Sequence, residues 1–154
     1  MDPMSERLYI GIDLGTYQST IASSSGTIHT VETVVGRPKD PVARNMLKRD
    51  VLFGAEALKH KMSCELYRPM AKGVTQDDEA NLAAAKAFMG HLIETMDPEE
   101  YDEVVGVVCS PSHVSFTDKS NLVATLRGQV NAIMVVSEPF ATAYGIGEFH
   151  GTIV

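Results

Sequence analysis

The apolar stretch LYIGID (residues 8–13) and the strand-like STIASSS (19–25) flank a turn, Leu14-Gly15-Thr16-Tyr17. A third strand is expected over about 27–34, entered through Ser-Ser-Gly, a tight hairpin signal. Links this short require antiparallel neighbours. The pattern then loosens. Residues 36–50 (GRPKDPVARNMLKRD) carry two prolines and many charges and read as an exposed loop with room for a helical turn, and 51–62 suit a short strand and a short helix. Residues 67–80 form a connector ending in a helix start, where Thr75 and Asp78 have capping-box spacing.

The period lengthens over 77–96. Leu82, Ala85, Phe88, Met89, Leu92, Ile93 and Met96 recur at three- and four-residue steps, which predicts a helix with one apolar stripe, stopped by Asp97-Pro98. EVVGVVCS (103–110) is a continuous apolar run, expected as a strand buried on both faces. A helix follows over about 115–130, with Ser115 and Asp118 again at capping-box spacing. AIMVVSE (132–138) predicts the next buried strand, parallel to the one before it through a right-handed crossover. Pro139 suits the first turn of a last short helix, limited by Gly145 and Gly147. The expected fold is α/β: a mixed sheet of three antiparallel strands followed by a βαβ unit, with helices available for both faces and 36–75 inserted as a small subregion.

Bulk properties narrow the function classes. The chain of 154 residues is long enough for one domain with a real core, is 44% hydrophobic and 21% charged, and carries a net charge of -7. That acidity argues against a general nucleic-acid or anionic-membrane surface. Cys64 and Cys109 stand far apart without metal-ligand spacing, as expected of reduced, packed thiols in a cytosolic protein. No stretch approaches the roughly 20 apolar residues that span a bilayer, and the first residues do not read as a signal peptide.

Two places carry candidate chemistry. Gly15 in the first turn lets backbone N–H groups converge on an external anion, and Thr16 adds a hydroxyl donor. Asp13 would repel a phosphate by itself, yet fits the pair if a hydrated Mg²⁺ lies between them. Asp13 could equally cap a tight hairpin turn. Glu138 stands where a strand gives way to a helix, a common site position in open α/β sheets, and could orient a water near a terminal phosphate. It could also only favour the helix dipole, worth under about 1 kcal/mol. The small residues Ala141, Thr142, Ala143, Gly145 and Gly147 allow another segment to approach closely, or simply pack tightly.

Taken together, GIDLGT resembles the first phosphate loop of the superfamily of actins, seventy-kilodalton heat-shock chaperones and sugar kinases, which shares a ribonuclease H-like fold. VVSEPFATAYGIG resembles the connecting helix of that superfamily in its bacterial-actin form, and VVGRPKD and YRPMAKGV fit bacterial actins too, particularly the branch whose filaments align magnetosomes. The resemblance spans essentially the whole chain but only the first half of a family member. It implies ATP or ADP with Mg²⁺ as ligands, Asp13 holding the metal through water, and Gly15, Thr16 and the Tyr17 backbone lining the β/γ-phosphate loop. Glu138 would position the attacking water. It implies a core subdomain over 1–35 and 76–154, and an outer subdomain over 36–75 that makes a filament contact, in a cytoplasmic cytoskeletal filament whose partner is itself.

The chain stops at HGTIV, where the family's strand would run into a second phosphate loop. A shortened family member with little ATPase activity of its own is therefore expected, because losing several charge-assisted contacts at about 1.5–3 kcal/mol each moves a micromolar affinity toward millimolar. Two alternatives remain at this point: a non-enzymatic assembly module that binds filament subunits, and a chaperone or sugar-kinase relative. The short 36–75 insertion and the Glu138-Pro139 connection fit the latter less well.

Overall fold

The computed structural model describes residues 6–71, 74–75, 78–148 and 150. The strand reading at Thr152-Ile153-Val154 and the helix start at Asp77 lie outside them. The chain opens with the expected antiparallel meander, β1 (Arg7–Leu14), β2 (Gln18–Ser23) and β3 (Ile28–Glu32), in which Ile12 faces Ile21 and Ile21 faces His29. Gly26, at φ 94°, closes the second hairpin by donating its N–H to the Ser23 carbonyl at 3.0 Å.

The segment read as a loop is instead ordered. β4 (Val35–Pro38), α1 (Pro41–Leu47), β5 (Leu52–Phe53), α2 (Gly54–Lys59) and β6 (Cys64–Tyr67) build a second antiparallel sheet of order β5-β4-β6 with its own small core of Val34, Leu52, Ala57 and Cys64. Asp40 and Pro41 look like loop residues. They are an N-cap and an N1 proline: the Asp40 carboxylate accepts from the Ala43 N–H at 2.8 Å. Gly54 joins the two sheets at φ 55°, where a Cβ would come within 2.7 Å of Val31 Cγ1.

A two-stranded ladder, β7 (Met70–Ala71) and β8 (Val74–Thr75), leads into α3 (Glu79–Glu94). The cap of α3 is Asp78 and not a Thr75–Asp78 box. Asp78 accepts from the Asn81 N–H at 2.9 Å and from the Asn81 side-chain amide, which hold its carboxyl below the usual range. The helix ends at Glu94, two residues early, and Asp97 enters the following 3₁₀ turn at φ 52°. Then come β9 (Glu103–Ser110), α4 (Phe116–Leu126), β10 (Ala132–Ser137) and α5 (Glu138–Ile146). The Ser115–Asp118 capping box forms as read.

The large sheet runs β10-β9-β1-β2-β3, with β9 parallel to both β1 and β10. Its inner face carries Leu8, Ile10, Ile12, Ile21, Val104 and Val108 against Ala84, Phe88, Met89 and Leu92 of α3 and Leu122 and Leu126 of α4. Burying Phe88 alone contributes about 1.5–3 kcal/mol. Two expectations fail here. β9 alternates between buried and half-buried residues and is not buried on both faces, and β10 is an edge strand with no fully buried residue. Among the described residues α3 and α4 pack on the inner face only, and Tyr9 and Met134 stand 50% and 59% exposed on the other. An unbroken apolar run cannot say which of its faces will be covered.

The two sheets also meet through a stacked pair: the Phe53 ring of β5 lies parallel to the His91 imidazole of α3, centroids 4.3 Å apart. Burial pushes His91 below its usual 6.5, against weaker opposing effects from Glu94 and Glu56. A depressed folded-state pKa means that the unfolded chain binds the proton more readily, so this stability is fully present above about pH 6.5 and lost as pH falls through the folded value. Thermal unfolding between pH 7.5 and 5.5 should therefore show a steeper loss of Tm in the wild type than in His91→Gln. Equal slopes would remove His91 as the cause.

Candidate functional site

Three parallel strands, β1, β9 and β10, finish at the same end of the large sheet. In open α/β sheets this carboxyl end is where ligands gather. A cavity of about 690 Å³ opens there. Asp13, Leu14, Gly15 and Thr16 line it from the end of β1 and the turn, Cys109, Pro111 and His113 from the end of β9, and Glu138, Ala141 and Thr142 from the first turns of α5.

Local sequence explains each placement. Alternation along β1 sends Ile10, Ile12 and Leu14 inward and leaves Asp13 exposed on the other face. Gly15 is required by the turn itself: a Cβ there would lie 2.2 Å from the Gln18 carbonyl oxygen. The turn is then pinned from below by two buried hydroxyls. Thr33 Oγ1 donates to the Gly15 carbonyl at 2.8 Å, and Ser19 Oγ is 2.8 Å from Thr33 Oγ1, so Ser19 is the donor to it. The Thr33 N–H also donates to the Tyr17 carbonyl at 2.8 Å. At the other wall Glu138 is the first residue of α5, after the N-cap Ser137 and before Pro139, and Gly147, at φ 71°, ends the helix. Gly145 does not stop it.

Asp13, Gly15, Thr16 and Glu138 thus share one cavity. Tyr17 does not line it: its side chain is 74% exposed and its ring lies 5.8 Å from the Arg68 guanidinium carbon. Ser19, Thr33, Cys109 and His113 carry no motif signal. The buried hydroxyls could have been suspected only from Ser and Thr at inward-facing strand positions. Cys109 reports the local field. Burial raises its thiol first, and the negative charges of Asp13 and Glu138 raise it further.

A hydrated divalent cation fits this donor set. Two carboxylates border the cavity, His113 is the only lining side chain able to carry positive charge, and among the described residues no three metal-ligating side chains cluster. Mg²⁺ commonly binds through one or two carboxylates, retained waters and substrate phosphates, with no complete protein cage. The cavity can therefore seat an anion whose charge a cation shares. Without that cation the carboxylates disfavour it.

No protein-family model matches the chain. It is 31% identical to the actin-like protein MamK of Magnetospirillum gryphiswaldense over 99% of its length, and 31% identical to MamK of Paramagnetospirillum magneticum over 96%. It spans 45% and 43% of those relatives, a little under half. Its coordinates match a MamK double helical filament with a TM-score of 0.90 at 30% identity, covering 96% of this chain and 46% of that one. A non-polymerising MamK mutant bound to AMPPNP gives 0.85 at 28% identity over 94% and 45%. MreB5 of Spiroplasma citri bound to ADP, at 17% identity and 0.71, shares the fold. The chain carries the actin fold over its described length and is MamK-like in sequence and structure across about half of MamK.

Proposed function

We propose that this MamK-like chain supplies the phosphate- and metal-contacting half of an ATP site in a cytoplasmic, actin-like filament system that positions an organelle. The observation that carries the nucleotide reading is the shared cavity of Asp13, Gly15, Thr16 and Glu138 at the carboxyl end of three parallel strands. In this reading the Gly15-Thr16 turn, held by Thr33 and Ser19, offers backbone and hydroxyl donors to the β- and γ-phosphates. The backbone at Tyr17 closes that turn. Asp13 accepts hydrogen bonds from the waters of Mg²⁺, which when bound offsets phosphate charge. Glu138 accepts a hydrogen bond from the water in line with the γ-phosphate and orients it.

The division into a core (1–35 and 76–154) and an outer subdomain (36–75) is supported by the separate sheet and core of the outer segment. Self-assembly is supported by the similarity to a MamK filament, and nucleotide binding by the similarity to MamK bound to AMPPNP.

Equilibrium dialysis against ATP tests the nucleotide half. Saturable binding in roughly the millimolar range is expected, weakened several-fold by EDTA. Binding that ignores Mg²⁺ would contradict it. A non-enzymatic assembly role is a second reading, favoured by the exposed apolar side chains of α5, Phe140 at 54% and Tyr144 at 69%. Co-sedimentation with intact MamK filaments without ATP turnover would support that role.

A further inference from the structure

The outer unit is the basic part of an acidic chain. Residues 35–67 hold seven of the thirteen Lys and Arg residues but only four of the twenty Asp and Glu residues, an excess of three positive charges against ten negative charges in the rest. Two of those cations are neutralised locally, Arg44 by Asp50 at 2.8 Å and Arg49 by Glu56 at 3.4 Å. Arg37 lies over the Tyr67 ring. Lys39, Lys48, Lys59 and Lys61 are exposed and have no carboxylate partner among the described residues. Three large apolar side chains project from the same unit: Val42 and Met46 on α1, 78% and 64% exposed, and Met62, 82% exposed, whose carbonyl accepts from Lys39 Nζ at 3.2 Å. Exposed apolar groups among unpaired lysines make a surface that favours an acidic partner.

The chain presents such a partner surface itself. Residues 94–103 carry Glu94, Asp97, Glu99, Glu100, Asp102 and Glu103 with no Lys or Arg, and Arg7 pairs only with Glu103. Asp97, Glu99, Glu100 and Asp102 are exposed. This edge lies where β1 and β9 begin, since the Glu6 N–H donates to Asp102 at 3.0 Å. The outer unit is attached where β1 finishes, through the Thr33–Tyr17 hydrogen bond.

We infer that the lysine-ringed outer unit of one copy docks on the acidic 94–103 edge of a second copy, in a head-to-tail contact guided by charge. A symmetric contact of outer unit on outer unit would set lysines against lysines. The opposed patches instead sit on different parts of one molecule, which is the heterologous geometry that propagates into open strands. The inference rests on the assembly half of the proposed function and adds the surface that receives the outer unit.

Sedimentation velocity on the whole chain tests it with two charge-reversed variants, Lys59→Glu/Lys61→Glu and Glu99→Lys/Glu100→Lys. All four side chains are exposed, and unchanged Tm values verify folding. The wild type should self-associate at low salt and weaken by roughly tenfold or more between about 0.05 and 0.5 M salt. Each variant alone should stay monomeric. Their mixture should associate again, because reversed lysines then meet unreversed or reversed partners of opposite sign. Association of the wild type and both variants alike, indifferent to salt, would overturn the charge-guided contact and leave assembly standing. A wild type that stays monomeric at every salt concentration would remove both.

Discussion

Replacing Asp13 with asparagine should invert the metal dependence of nucleotide binding. In the wild type two carboxylates, Asp13 and Glu138, border the cavity, and His113 is the only lining side chain that can offset them. Metal-free ATP entering that space meets like charge, whereas Mg²⁺ turns Asp13 from a source of repulsion into a binding group. Mg²⁺ should therefore raise the affinity of the wild type by about tenfold, in line with one charge-assisted contact of about 1.5 kcal/mol. In Asp13→Asn the Mg²⁺ increment should disappear, and binding in EDTA should become several-fold tighter than in the wild type. Isothermal titration with and without EDTA checks both. Uniform weakening under both conditions would assign Asp13 to the turn instead of the metal.

Gly15→Ala should cost folding stability as well as binding. The added methyl would meet the Gln18 carbonyl at 2.2 Å, and this neighbour is backbone fixed in the β1–β2 hairpin, so no side chain can turn aside. Overpacking of this kind costs roughly 1–3 kcal/mol, and a rigid opponent places it toward the upper end. For a chain of this size that is a fall in Tm of roughly 5–10 °C. The same displacement pulls the Gly15 carbonyl from Thr33 Oγ1 and strands two buried hydroxyls. Thr33→Val should share the binding defect while leaving the turn's backbone sterically sound. An unchanged Tm in Gly15→Ala would show that the turn can open at little cost.

The architecture was legible wherever one physical signal dominated. Short links between LYIGID, STIASSS and the third strand allowed only an antiparallel meander. The three- and four-residue recurrence through Phe88, Met89, Leu92 and Ile93 marked α3, because that face does meet the sheet. The outer unit was misread where two signals competed: Pro38, Lys39, Asp40 and Pro41 are loop-like in composition but form a helix start by position. Its core needs only Val34, Leu52, Ala57 and Cys64, too few to leave a periodic imprint. Strands β9 and β10 were overburied in the reading because valine content records strand preference and not the covering of a second face.

At the candidate site, Asp13, Gly15, Thr16 and Glu138 were marked by type and spacing. Their meeting depended on β1 and β10 both flanking β9 in parallel, a tertiary fact. Gly15 was singled out for clearing space above the turn, and the structure gives it a second duty in closing the turn itself. Ser19 and Thr33 were invisible, since a buried hydroxyl reads as an ordinary strand residue until its partner is known. Tyr17 followed the turn in sequence but faces away from the cavity.

The most direct measurement is backbone amide NMR of the isotope-labelled chain titrated with Mg²⁺ and a non-hydrolysable ATP analogue. Shifts at Gly15, Thr16 and Glu138 that grow together on one binding curve and collapse on adding EDTA are the expected result. Shifts confined to the groove lined by Leu82, Lys86, Asn121 and Thr125, or none at all at saturating ligand, would contradict a nucleotide site at the carboxyl end of the sheet.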